Sequence, residues 1–135
     1  MTADTTQLAE ISGKLAFSKK LQEVTNKVHA AHNLDEIMLD VAREIRVLFD
    51  ADRITIYHVS DDRKWVVTKI KTGLENFTDL KLPISPQSIA GYCAFTKRLL
   101  NIKDVYDDAE LKSYTPEMRF LKEVDQRTGY RTKQM

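Results

Sequence analysis

Apolar residues at the start of the chain are spaced for a helix. Leu8, Ile11 and Leu15 form one stripe, and Phe17, Leu21, Val24, Val28 and Ala31 continue it. The spacing predicts a helix from about Thr5 to Ala31, with residues 1–4 outside it and Gly13 as a weak point where it bends. The second run repeats every seven residues, which suits one side of a two-stranded bundle. The plainer alternative is a helix lying on its own domain. Asn33 followed by Glu36 is a capping-box pattern, and Ile37, Met38, Val41, Ile45, Leu48 and Phe49 mark one face of a second helix running to about Phe49. Asp50-Ala51-Asp52 is a turn. The period then becomes two, with Ile54, Ile56 and His58 on one face and Thr55, Tyr57 and Val59 on the other. This predicts a strand over 53–60. A charged turn, Asp61 to Lys64, leads to a returning strand, Trp65 to Lys71, so 53–71 reads as a hairpin. Thr72-Gly73 breaks it, 74–79 reads as loop, and Leu80 to Ile84 as a third short strand whose Pro83 favours an edge.

From Ser85 the pattern returns to helix. Ser85-Pro86 supplies an N-cap oxygen and a proline at the first helical position, and Ser88 is a second candidate cap. Free N–H groups at such a start, together with the positive dipole end, can receive an anion. The helix is expected to turn Ile89, Ala90, Cys93, Ala94 and Phe95 inward. Leu99 to Ile102 reads as extended. The acidic run Asp104 to Glu110 lacks the glycine and terminal glutamate of a calcium loop and reads as a solvated loop. Thr115-Pro116 predicts another helix start, with Met118, Leu121 and Val124 or Phe120 inward, ending over Asp125 to Gly129. Tyr130 to Met135 begins to read as a strand.

Composition narrows the function classes. At 135 residues, 42% hydrophobic and 30% charged, the chain is one domain's worth with an ordinary core. A net charge of +1 gives no electrostatic case for nucleic acid or an anionic membrane. No run has the length or apolarity of a signal peptide or a membrane span. The single cysteine, Cys93, excludes an internal disulfide and suits a reducing cytoplasm. His29 and His32 are spaced for metal ligation on a helix but have no third ligand nearby, so a solvated helix end is the reading preferred. No metal motif, phosphate-binding loop or nucleophile–base spacing is present, and an enzyme is not expected.

Four stretches together carry a resemblance: Ala51-Asp52-Arg53-Ile54-Thr55-Ile56; Leu82-Pro83-Ile84 leading to Ser88-Ile89-Ala90-Gly91; Leu100-Asn101-Ile102-Lys103-Asp104-Val105-Tyr106; and Asp125 to Thr132. From about Leu21 onward the chain resembles a GAF domain. The resemblance implies an α+β, PAS-like fold: a twisted antiparallel sheet, helices on one face, and a ligand pocket under loops and short helices on the other. It also implies an N-terminal signalling and dimerisation helix over 1–32 and the GAF domain over 33–135. In that family the pocket binds small molecules, cyclic nucleotides and tetrapyrroles among them, and terminal helices pass binding on to an attached output domain. The domain itself is not catalytic. The expected protein is therefore a cytoplasmic sensor and a homodimer through its first helix. The alternative is a dimerisation module whose pocket is filled by its own side chains.

Carried over residue by residue, the resemblance places Ser88, Ile89 and Ala90 where backbone N–H groups meet a phosphate. Thr128 and Thr132 stand where the cyclic-nucleotide branch uses hydroxyls, with Asp125 beside them. Thr55 falls where a small hydroxyl residue reaches the base. Lys71 stands where an acidic residue reads a purine edge, and a lysine cannot accept the base's proton. Leu121 replaces a pocket tyrosine. Both departures count against guanine-type recognition. Cys93 is followed by Ala94 rather than the histidine usual beside a bilin-attachment cysteine, so a small buried hydrophobe is the reading for Cys93 and no covalent bilin is expected. The family's further strands would follow Tyr130 to Met135. The expectation is a C-terminally incomplete domain whose open sheet edge is filled by a partner chain or an oligomer, and whose pocket binds more weakly than the whole.

Overall fold

A computed structural model describes residues 2–71 and 77–135. The chain forms two compact units, Met1–Ile56 and Tyr57–Met135. Together the elements make an α+β fold with a long N-terminal helix and a three-stranded antiparallel sheet.

In the first unit, α1 spans Thr2–Ala30. It begins earlier than the apolar pattern requires and runs through Gly13 without interruption. Its two stripes have different surroundings. Leu8, Ile11 and Leu15 are exposed, whereas Val24, in the Phe17 to Ala31 stripe expected to meet a partner helix, is buried within its own chain. Towards its C-terminal end α1 packs on the helical segments that follow. Phe17 meets Phe49 edge to face at 5.8 Å, and Lys27 Nζ lies 2.6 Å from Glu44 Oε1. Asn33 caps α2 (Leu34–Glu36) by accepting from Glu36 N–H at 2.9 Å. The Glu36 carboxylate reaches back to His32 N–H at 3.0 Å, one residue short of the reciprocal bond of a capping box.

A π-helical segment, Ile37–Val41, then joins α2 to α3 (Ala42–Leu48). The extra residue in that turn rotates the following side chains off the 3.6-residue stripe. Val41 and Ala42 are both buried, and Phe49, expected inward, is exposed. Asp50 adopts φ 48° and Ala51 N–H bonds Arg46 C=O at 2.9 Å, closing the expected turn. His32 is exposed, and no group of potential metal ligands exists among the described residues.

In the second unit the sheet order is β1-β2-β3, with β1 at His58–Val59, β2 at Trp65–Lys71 and β3 at Phe77–Pro83. The hairpin forms about its charged turn. Ser60 Oγ donates to Asp62 at 2.5 Å and accepts from Trp65 N–H at 3.1 Å. These bonds hold the Asp62 carboxyl below its usual range, the Ser60 hydroxyl first and the Lys64 N–H second. The expected strand over 53–60 is cut to two residues, because the β1–β2 ladder holds only His58↔Val67 and Val59↔Val66. Alternation of side chains makes a strand only where the backbone finds a partner.

The third strand is longer than expected. Residues 77–79 are strand rather than loop, and Lys71 pairs with Phe77. The break expected at Thr72-Gly73 and the loop expected over 74–76 lie outside the described residues. Pro83 pairs with Trp65 at the end of β3, which forms one side of the sheet.

Helix α4 covers Ile89–Thr96 and packs on β2 and β3. Ser88, not Ser85-Pro86, is its N-cap, accepting from Gly91 N–H at 3.0 Å. Phe95, expected inward, is exposed. The acidic loop is also corrected. Asp107 caps a helix, α5 (Asp108–Tyr114), by accepting from the N–H groups of Ala109 and Glu110. The Glu110 carboxylate accepts from Lys103 and Asp104 N–H at 2.8 and 3.0 Å. Carboxylates expected to be solvated therefore hold the local backbone. Thr115-Pro116 starts a turn and not a helix; α6 begins later and spans Lys122–Thr128. Leu121, expected inward, is 36% exposed.

The unit's core is Ile89, Ile102, Val105, Leu111 and Met118, with Tyr92, Leu100, Tyr106 and Phe120 against it. The last residues pair beside residues 102–105 instead of joining the sheet. Ile102 and Met135 exchange both backbone bonds, at 2.7 and 2.9 Å, and Val105 N–H reaches Lys133 C=O at 2.8 Å. Among the described residues no helix is long and apolar enough to cross a membrane.

Candidate functional site

The start of α4 is held tightly. A Cβ on Gly91 would lie 2.4 Å from Pro83 C=O, 2.7 Å from Ser88 Oγ and 2.9 Å from Ser85 C=O. Only a residue without a side chain lets the helix start come this close to the end of β3. Residue 119 then runs beside the cap, with Arg119 N–H donating to Gln87 C=O at 2.8 Å and Ser88 bridging Arg119. Ile89 points into the core, and Ala90 is half-buried. These contacts fix the orientation of the helix start that the sequence nominates for an anion.

The second part of the site centres on Asp125, which is 5% exposed. Gly129, at φ 66°, ends α6 and turns the chain back past it. The Asp125 carboxylate then accepts from three donors: Tyr106 Oη–H at 2.8 Å, Thr132 N–H at 2.7 Å and Thr132 Oγ1–H at 2.7 Å. Thr128 Oγ1–H donates to Val124 C=O at 2.8 Å. The Tyr106 ring is packed edge to face with Phe120 at 5.4 Å, and Arg131 and Lys122 lie over it at 4.6 and 5.4 Å. The bond to Asp125 raises the Tyr106 phenol above its ordinary range, with burial adding to the effect.

The structure thus joins Asp125 and Thr132 directly and sets Thr128 on the same helix end. Phe120, next to the residue that bridges Ser88, packs on Tyr106. Thr55 lies in the first unit and is exposed. The Lys71 side chain lies outside the description. Tyr106, not among the site residues nominated from the sequence, is the member that ties the cluster to the core. Its position in the Leu100–Tyr106 stretch was the available signal, but a tyrosine there reads equally as core.

Cys93 is half-buried. Burial pushes its thiol up, partly offset by the Leu100 N–H, so its environment favours the neutral form over a nucleophilic thiolate. In the first unit a cleft of about 280 Å³ is lined by Lys27, Ala30, Glu36, Asp40, Val41 and Glu44, none of them nominated from the sequence.

Among known proteins no family model matches the chain. The chain is similar to a Caenorhabditis elegans protein named "Probable 3',5'-cyclic phosphodiesterase pde-5", with 27% identity over 135 residues, covering 91% of this chain and 17% of that protein. The chain therefore spans about a sixth of the length of this relative, to which it is distantly related.

Proposed function

We propose that this chain is a GAF-type regulatory domain that binds a small molecule, with a cyclic nucleotide as the first candidate, and controls an attached output domain in signal transduction. The observation that carries the reading is the similarity to a cyclic phosphodiesterase over nearly the whole of this chain but only a sixth of that protein. A match of that extent suits an accessory domain better than a catalytic one. The direct bond between Asp125 and Thr132 supports the reading, because the resemblance puts ligand contacts at both residues. On this reading the domain performs no chemistry of its own and works in the cytoplasm. Its partner is a second copy of the chain, met through α1, whose Leu8, Ile11 and Leu15 are exposed.

Isothermal titration of the purified chain with 3',5'-cyclic GMP and 3',5'-cyclic AMP tests the reading. Saturable binding of either, with amide shifts at Ile89, Ala90 and Thr132, is the expected result. No binding at millimolar nucleotide would remove it. A second reading, a dimerisation module without a ligand, is favoured by one observation: the Asp125 carboxylate and the Thr128 and Thr132 hydroxyl protons are already engaged within the chain.

A further inference from the structure

The end of α4 leaves large apolar side chains in solvent. Phe95, expected inward, is 59% exposed, and Leu99 is 98% exposed. Lys97 and Arg98, between them, are exposed as well. Among the described residues neither cation has an ion-pair partner. Thr96 alone is half-buried, its hydroxyl donating to Tyr92 C=O at 2.8 Å. The backbone of the turn is strained for the residue it carries. Lys97 caps α4 at φ 56°, a left-handed position that glycine takes without cost. A lysine there keeps a charge on the turn at the expense of the fold. The surrounding sequence is one-sided too. From Leu80 to Lys103 the chain carries Lys81, Lys97, Arg98 and Lys103 and no carboxylate, a segregation that the whole-chain charge of +1 averages away.

We propose that this turn, Phe95 to Leu99, docks on a negatively charged lipid surface. Leu99 and Phe95 enter the boundary between headgroups and acyl chains, and Lys97 and Arg98 meet the anionic headgroups. Apolar side chains beside unpaired cations match such a surface in both respects, an apolar interior under a layer of negative charge. A protein partner fits less well. A side chain at the centre of a protein interface is ringed by neighbouring contacts that exclude water, and Leu99 touches almost nothing of its own chain. A bilayer closes around a projecting side chain without such a ring. Two apolar side chains and two charges bury less than a single acyl chain, which itself anchors only reversibly. The contact therefore orients the domain on a surface and does not fix it there. It needs no small molecule in the domain and is independent of the sensory reading above.

Co-sedimentation of the full chain at millimolar lipid tests this, with vesicles of phosphatidylcholine containing phosphatidylserine against vesicles of phosphatidylcholine alone. Binding to the anionic vesicles only, released by added salt, is the expected result. Leu99→Asp should weaken it about tenfold or more, and the double variant Lys97→Gln, Arg98→Gln about tenfold. Lys112→Gln, which removes an exposed cation from α5, should leave it unchanged. Lys97→Gly separates docking from a structural role: the thermal melting temperature should rise as the strain at φ 56° is relieved, while vesicle binding falls. No co-sedimentation of the wild-type chain overturns the proposal and leaves the turn to a protein partner. Equal binding by the wild type and Leu99→Asp, or an equal loss in Lys112→Gln, overturns it as well. No nucleotide enters this assay, so its failure and the failure of the sensory reading are separate results.

Discussion

Asp125 shows how much one side chain can organise. Its carboxylate collects three donors whose sources lie 19 and 7 residues away, and so it ties α6, Tyr106 and the returning chain together. Asp125→Ala leaves the Tyr106 hydroxyl and the Thr132 N–H without this acceptor. A fall in unfolding free energy by urea titration is expected, with a much smaller fall for Asp125→Asn, which keeps one acceptor oxygen. Gly91→Ala forces a methyl into the Pro83 carbonyl at 2.4 Å, and a loss of about 1–3 kcal/mol is expected on the same assay. Tyr106 gives a prediction in pH. Its phenol is raised in the folded state, chiefly by the bond to Asp125. The bond's contribution is therefore fully present below the unfolded tyrosine value of about 10 and is lost as pH rises through the folded value. Tyr106→Phe should flatten that alkaline fall in thermal melting temperature; an unchanged slope would show that the bond contributes nothing.

At the scale of elements, α1 divides into two kinds of surface. Its C-terminal half has Val24 buried and Lys27 paired with Glu44, while residues 3–23 are exposed. Burying a leucine-sized side chain is worth about 1.5–3 kcal/mol. The proposed dimer would cover Leu8, Ile11 and Leu15, and sedimentation velocity should show it. The double variant Ile11→Lys, Leu15→Lys should sediment as a monomer with the fold of 57–135 unchanged; a wild-type chain that stays monomeric at high concentration would sink the idea. The short helix α2 depends on its cap in the same local way. Asn33→Ala removes the acceptor of the Glu36 N–H and should cost about 1 kcal/mol. The π segment that follows ends at the buried Val41, next to the buried Ala42 that opens α3.

For the whole molecule, a long first helix and an antiparallel hairpin were legible from periodicity, the turn at Asp61 to Lys64 from its composition, and the α+β architecture from the family resemblance. Local rules sufficed there because the determining contacts lie within a few residues: Asn33 with Glu36, Ser88 with Gly91, Ser60 with Asp62. The sequence could not show that the alternation over 53–57 is not strand, that an extra residue per turn follows Glu36, or that Thr115-Pro116 starts a turn and not a helix. Nor could it show how the acidic run folds: Asp107 and Glu110 look like solvated charge until the N–H groups of residues 103, 104, 109 and 110 are seen to need acceptors. Asp125, Thr128 and Thr132 could be nominated by their motif, but not the direction of their protons. That direction depends on Tyr106, distant in sequence, and on the burial of one carboxylate. Local pattern fixed the residue types and most of the elements. Which backbone groups find partners, and which way each hydroxyl points, was decided only when distant segments met, because a hydrogen bond is a property of two groups and periodicity describes one.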